Sequence, residues 1–271
     1  MFKILIEEMK LRNFSPRTID VYIHYNQEFL RFCRKSPREV SHLHIREYLL
    51  HCIEKRYSSS TINLAHNALA FYYGRILRKR VGGIPYQKRE QRVRLFASPD
   101  EIEKMINVLD NPKHKLMLSL LYASGVRVSE LVSIKIQDID LQKRLLTVRQ
   151  GKGNKDRYTI LSMKVVEQIK NYTPTYSSES NYLFASSDGH ITIRTVEEVL
   201  KQACHKAKIK IALTPHSLRH SFATHHMEDG TKTEYIQQML GHKDIRTTRI
   251  YEHISTKHLE KIRSPQDNHF V

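Results

Sequence analysis

Four short segments place unusual polar residues beside glycines, and a tyrosine follows the last of them. They are Gly125-Val126-Arg127-Val128-Ser129-Glu130-Leu131, Gly151-Lys152-Gly153-Asn154-Lys155, Pro215-His216-Ser217-Leu218-Arg219-His220 and Leu240-Gly241-His242, with Tyr251 nine positions after His242. Taken singly, each has an ordinary reading. Arg127 follows a helix-breaking glycine and is either a surface arginine or a guanidinium aimed at an oxyanion, with Glu130 placed to orient a neighbouring arginine from behind. The Gly-Lys-Gly segment is either a plain hairpin turn or a phosphate loop, yet neither G-x-x-x-x-G-K-[ST] nor G-x-G-x-x-G is present, which argues against nucleotide binding. His216 and His220 have helical i,i+4 spacing, but Ser217 stands where a metalloprotease motif needs glutamate, and no carboxylate completes a ligand set. No metal is expected, and His226 reads as a structural histidine.

Taken together, the set is two arginines, a lysine, two histidines and a tyrosine, without an acidic cluster for Mg²⁺. That set suits phosphoryl transfer. Two arginines can bracket the charge that develops on the non-bridging oxygens of a phosphodiester with fixed, forked donors. A tyrosine hydroxyl, with a free pKa of roughly 10, needs a nearby histidine or cation to act as nucleophile. A lysine at a hairpin tip can protonate the leaving oxygen. Such chemistry keeps the bond energy in a phosphotyrosine and needs no cofactor.

Elements that could position these residues are legible in the same sequence. Ser15-Pro16 is a helix N-cap followed by proline at the first helical position, and Ile19, Tyr22, Ile23, Leu30 and Cys33 recur behind it near helical spacing. Ser36-Pro37 opens a second start, residues 45–53 form a short amphipathic helix, and Ser58-Ser59-Ser60-Thr61 caps a third helix to about Leu77. No strand is expected in this front part. Ser98-Pro99-Asp100-Glu101 is a capping box. Further helices are expected at about 115–123, 129–134, 164–172, 195–207, 218–228, 233–239 and 247–252. Residues 144–148 and 157–161 read as the strands of a hairpin whose turn is Gly151-Lys152-Gly153-Asn154.

Charge divides the chain unevenly. The 271 residues carry a formal net charge of +17, which makes a polyanionic partner plausible. Positions 1–95 hold 19 basic and 8 acidic residues, and positions 96–271 hold 26 and 20. Arg75, Arg78, Lys79, Arg80, Lys88, Arg89, Arg92 and Arg94 stand against a single acid, Glu90, in a stretch interrupted by Gly82, Gly83 and Pro85. This reads as a basic linker over 82–95, able to follow a phosphate backbone or to serve as a bare tether. A helical front domain (1–81) and a mostly helical second domain with a small sheet (96–271) flank it. With 40% hydrophobic residues the chain has enough apolar content for real cores. Its three cysteines, Cys33, Cys52 and Cys204, lack C-x-x-C spacing, which fits a reducing cytoplasm. No secretory signal or membrane span is expected.

In combination the motifs resemble the tyrosine recombinase (phage integrase) family, most closely its Xer-type branch. Residues 121–131 are similar to the family's first arginine box, 151–155 to its lysine hairpin, 216–224 to its H-x-x-R box, 240–242 to its L-G-H segment and 247–251 to its T-T-x-x-Y segment. Ser15-Pro16-Arg17-Thr18 with Tyr22 resembles the start of its core-binding domain. The resemblance implies a mainly α fold with a small β-sheet: a helical SAM-like DNA-binding domain followed by an α+β catalytic domain. It implies that Tyr251 attacks a scissile phosphate, Arg127 and Arg219 hold its oxygens, Lys152 protonates the leaving 5′ oxygen, and His216 and His242 assist. It further implies site-specific strand exchange through a Holliday junction by four protomers on two inverted-repeat DNA sites, alone or with a sister recombinase. The tail bearing Ile254, Leu259 and Ile262 would pack on a neighbour. Chromosome or plasmid dimer resolution is the favoured role. Integration of a mobile element or phage, a type IB-like topoisomerase and a non-catalytic DNA-binding protein are the alternatives.

Overall fold

The computed structural model describes residues 2–88, 96–149, 156–172, 181–187 and 189–241. Its contacts divide the chain into two compact units, Met1–Val93 and Arg94–Val271.

The regular elements of the first unit, among its described residues, are all helices: α1 (Lys3–Leu11), α2 (Pro16–Cys33), α3 (His42–Glu54) and α4 (Ser59–Leu69), with α4 continuing into a π-helical segment, Ala70–Ile76. Ser15 Oγ accepts the Thr18 amide at the start of α2, and Ser58 Oγ does the same for Thr61 at α4, so both serine caps act as the sequence suggests. Ser36-Pro37 does not begin a helix. Glu39 accepts hydrogen bonds from the Ser36 amide and hydroxyl at 3.0 and 2.7 Å, and this closes a turn instead. Leu5, Met9, Phe29, Ile45, Leu69 and Tyr73 are fully buried in the core, where Phe29 meets Tyr48 and Tyr73 edge to face. Buried Asn26 ties α2 to α4 by donating to the Ala68 carbonyl.

Beyond the π segment, Lys79 Nζ donates to the carbonyls of Arg38 and Val40, so this ammonium clamps the end of the bundle onto the preceding turn. The stretch read as a linker also starts as a fixed arm. Asn63 exchanges two hydrogen bonds with the Gln87 backbone (2.9 and 2.8 Å), Tyr86 donates to Asn67, and the Tyr86 ring lies 4.5 Å from His66.

The second unit wraps its elements around α6 (Pro112–Ser124), in which Leu116, Met117, Leu118, Leu120 and Leu121 are all fully buried. Before it lies α5 (Pro99–Asn107), started by the Ser98/Glu101 capping box. After it come α7 (Val128–Val132), a 3₁₀ turn (Ile136–Asp138), and a three-stranded antiparallel sheet of β1 (Ile139–Asp140), β2 (Leu145–Val148) and β3 (Arg157–Ile160) in that order. The register pairs Leu145 with Ile160 and Val148 with Arg157, so β2 and β3 form the expected hairpin. Then follow α8 (Met163–Tyr172), a second small hairpin of β4 (Ala185–Ser186) and β5 (Gly189–His190), α9 (Ile193–Lys206), α10 (Pro215–Glu228) and α11 (Thr233–Leu240). The β4–β5 hairpin and α1 have no counterpart in the sequence reading. Helix α10 begins three residues earlier than expected, because Thr214 caps it and Pro215 occupies the first position. The helix expected at 247–252 lies outside the described residues.

Candidate active site

Arg127 sits at the N-cap of α7 because α6 ends just before it. Gly125 closes α6 in the left-handed conformation, φ 60°, and its backbone presses against Phe222 of α10: an added Cβ would lie 2.8 Å from Cε1 and 2.9 Å from Cγ of the ring. Only glycine fits that approach, and it fixes where the chain turns into α7.

Glu130, in the first turn of α7, reaches back to accept the Arg127 amide at 2.7 Å, while Arg127 Nη1 donates to its Oε1 at 2.7 Å. Arg219 reaches the same carboxylate from α10, with Nη1 4.0 Å from Oε2. The sequence-predicted pair Arg127 and Arg219, 92 residues apart, therefore meets at one acidic residue. Arg219 is also held by the backbone: Nη1 donates to the Gly125 carbonyl at 2.6 Å and Nη2 to that of Leu240.

A third arginine joins them that sequence reasoning did not single out. Arg157, the first residue of β3, donates Nη1 to Glu130 Oε1 at 2.8 Å and Nη2 to Oε2 at 2.7 Å, a two-pronged contact, and Nε to the Met239 carbonyl at 2.8 Å. Its side chain is only 9% exposed. Gly241, left-handed at φ 64°, packs so closely on it that a Cβ would stand 2.8 Å from Arg157 Cδ. The glycine of the L-G-H segment is thus required by Arg157. Burial is the largest single influence on the Glu130 carboxyl and pushes its pKa up, but the hydrogen bonds from Arg157 and the Arg127 amide and the charges of both guanidinium groups outweigh it. Together they hold the group at about 2.

His216 lies on the first turn of α10, exposed, with its ring 4.1 Å from that of buried His220. His226 is half-buried, bonded to Thr231 through Nδ1 and stacked edge-on to Phe222, and burial lowers its pKa, as suits a structural histidine. Lys152, His242 and Tyr251 lie outside the described residues, as do Arg89, Arg92, Arg94, Ile254, Leu259 and Ile262. Lys152 falls between β2 and β3 in sequence, and His242 comes two positions after the end of α11. Of the basic residues expected to meet a polyanion, Arg75, Arg78, Arg80 and Lys88 are exposed, whereas Lys79 is the carbonyl clamp described above. Among the described residues no three His, Cys, Asp or Glu side chains gather in a way that could hold a metal, and no helix is long and apolar enough to cross a membrane.

The second unit thus gathers three arginines around one glutamate on a helical scaffold with a small sheet, and comparison with known proteins identifies the class. The phage integrase family pattern matches residues 96–258, and that of the phage integrase N-terminal SAM-like domain matches residues 1–82. Tyrosine recombinase XerA of Pyrococcus furiosus is 36% identical over 260 residues, covering 93% of this chain and 89% of that protein. A crystal structure of XerA recombinase superposes with a TM-score of 0.58 at 32% identity, covering 98% of this chain and 96% of that one. The XerH site-specific recombinase bound to a palindromic difH substrate in a post-cleavage complex has the same fold, with a TM-score of 0.77 at 21% identity over 92% of this chain and 80% of that one. The chain belongs to the phage integrase family, the tyrosine recombinases.

Proposed function

We propose that this protein is a site-specific, Xer-like recombinase that cuts and rejoins double-stranded DNA through Tyr251. The observation that carries the reading is the convergence of Arg127 and Arg219 on the Glu130 carboxylate, a fixed pair of forked cations of the kind a phosphodiester in transition requires. The family membership and the relative XerA support it.

In this reading the Tyr251 hydroxyl oxygen attacks the scissile phosphorus while the bond to the 5′ oxygen breaks. A 3′-phosphotyrosine forms and a 5′-hydroxyl leaves, protonated by Lys152. Arg127 and Arg219 bear on the non-bridging oxygens, where charge accumulates, and His216 and His242 assist proton transfer. The 5′-hydroxyl of a partner strand then attacks the phosphotyrosine, which releases Tyr251. Two rounds pass through a Holliday junction. Four protomers act on two inverted-repeat sites, with the front unit and Arg75, Arg78, Arg80, Lys88, Arg89, Arg92 and Arg94 lying along the phosphates and the tail after Tyr251 packing on a neighbour. The same residues would serve a mobile-element integrase, so the DNA site separates that role from dimer resolution.

The test is a suicide duplex with a nick beside candidate inverted-repeat sites, run on a denaturing gel with EDTA present. The expected result is a covalent protein–DNA band with the natural protein and none with Tyr251→Phe. Tight binding with no covalent band on any of a broad set of sites would instead favour a protein that only occupies DNA.

A further inference from the structure

We propose that Arg157 is a positioning residue of the strand-cleavage reaction: by taking both oxygens of Glu130, it keeps that carboxylate from cancelling the charge that Arg127 and Arg219 present to the phosphate. The inference rests on the reading that these two arginines face the scissile phosphate.

Glu130 has two consequences for Arg127. It orients the side chain, and its negative charge opposes the one Arg127 is there to supply. Without Arg157, the two arginines and one glutamate sum to a charge of +1, and the carboxylate would draw both guanidinium groups toward itself. Arg157 changes this in three ways. It brings the cluster of Arg127, Arg157, Arg219 and Glu130 to a net charge of +2. Its fork occupies Oε1 and Oε2 at 2.8 and 2.7 Å, so that Arg127 commits only Nη1 to Oε1 among the described contacts, and Arg219 stands off at 4.0 Å. Its Nε bond to the Met239 carbonyl and the close approach of Gly241 fix the fork itself, so Glu130 is held from the side of β3 and α11 as well as by Arg127. Arg127, at 27% exposure, is the open member of the group, whereas Arg157 at 9% and Arg219 at 3% are both closed. Fixed dipoles and charges that need no rearrangement are the ones that act on a developing oxyanion.

The experiment measures single-turnover cleavage of a suicide duplex by the full chain. The scissile linkage is either a normal phosphate or a methylphosphonate, in which a methyl group replaces one non-bridging oxygen and removes the negative charge. Arg157→Gln is expected to slow cleavage of the phosphate about 10- to 100-fold, toward the range for loss of one oxyanion-stabilising donor. On the methylphosphonate the same variant should lose no more than about threefold, because there is less charge to stabilise. A merely structural role would slow both substrates equally, and that result overturns the proposal. If circular dichroism shows that Arg157→Gln does not fold, Arg157→Lys, which keeps a positive charge but not the fork, is measured instead. It should show a smaller loss with the same relief on the methylphosphonate, and equal losses again overturn the idea. Arg127→Gln separates the two levels of the argument. If it too gains no relief, the placement of the arginines at the phosphate fails and the inference falls with it. If it is relieved and the Arg157 variant is not, only the inference fails.

Discussion

Replacing Gly125 by alanine sets two penalties on one atom. The residue has φ 60°, a conformation that costs a side-chain-bearing residue roughly 1–2 kcal/mol. The new Cβ would lie 2.8 Å from Cε1 and 2.9 Å from Cγ of Phe222, well inside contact distance. The ring cannot swing away freely: Phe222 is 2% exposed, in a cluster with Ala223 and Met227 of its own helix and Ile236 and Leu240 of α11. Overpacking of this kind typically costs about 1–3 kcal/mol, so the two penalties sum to about 2–5 kcal/mol, a large share of the roughly 5–15 kcal/mol that holds a domain folded. Amide hydrogen exchange at α6 and α10 is the suitable assay, since it reports on this unit by itself. Protection there should fall by that free energy. Because the Gly125 carbonyl accepts Arg219 Nη1 at 2.6 Å, formation of the covalent DNA complex should fall as well. Phe222→Leu removes the ring atoms that clash, so the double variant should be less destabilised than the sum of the singles by more than about 1 kcal/mol. A loss under about 1 kcal/mol for Gly125→Ala, or strict additivity with Phe222→Leu, would refute the close-approach argument.

Three other outcomes test separate parts of the structure. The folded Glu130 pKa of about 2 lies below its ordinary 4.5, so its contribution is full above pH 4.5 and is lost as pH falls toward 2. Urea titrations should show that stability, about 3 kcal/mol, fading in that window for the natural protein, with a flatter profile for Glu130→Gln; parallel profiles would contradict the ion-pair account. Asn63→Ala removes both bonds to Gln87 and should hasten tryptic cleavage near Lys88 while costing the bundle only about 1–2 kcal/mol; an unchanged cleavage rate would mean the arm is held by something else. Lys79→Met should lower the stability of the first unit by about 1 kcal/mol without altering the salt dependence of DNA binding, whereas Arg80→Met should reduce that salt slope by roughly one. Equal effects on the salt slope would mean that the Lys79 clamp opens to meet DNA.

What the sequence made legible, and what it did not, follows from how far each signal reaches. Caps are local, so Ser15, Ser58 and Ser98 are legible from the three or four residues that follow them, and the family motifs mark Arg127 and Arg219 because their neighbours share the pattern. Lys79 is misleading because a basic run looks alike whether its members face solvent or a pair of carbonyls 39 and 41 positions upstream. The π-helical segment has no compositional sign at all. Arg157 escapes notice for a more instructive reason. In Arg157-Tyr158-Thr159-Ile160 the usual alternation rule would turn Tyr158 and Ile160 inward. The structure does the opposite: Tyr158 is 66% exposed and Ile160 37%, while Thr159 is 1% exposed and Arg157 nearly buried beside it. Hydrophobic burial alone cannot favour that register. It holds because each polar group turned inward meets a partner fixed elsewhere: Thr159 Oγ1 donates to the Ser124 carbonyl at 2.7 Å, and Arg157 donates to Glu130 and Met239. The end of α6, the start of α7 and the end of α11 supply those acceptors, and they are the same three places that present Gly125, Arg127 and Gly241. A strand facing its polar side inward is stable here because the arginine–glutamate cluster and these fixed carbonyls already stand behind it, so the inverted alternation of β3 is itself a mark of that cluster.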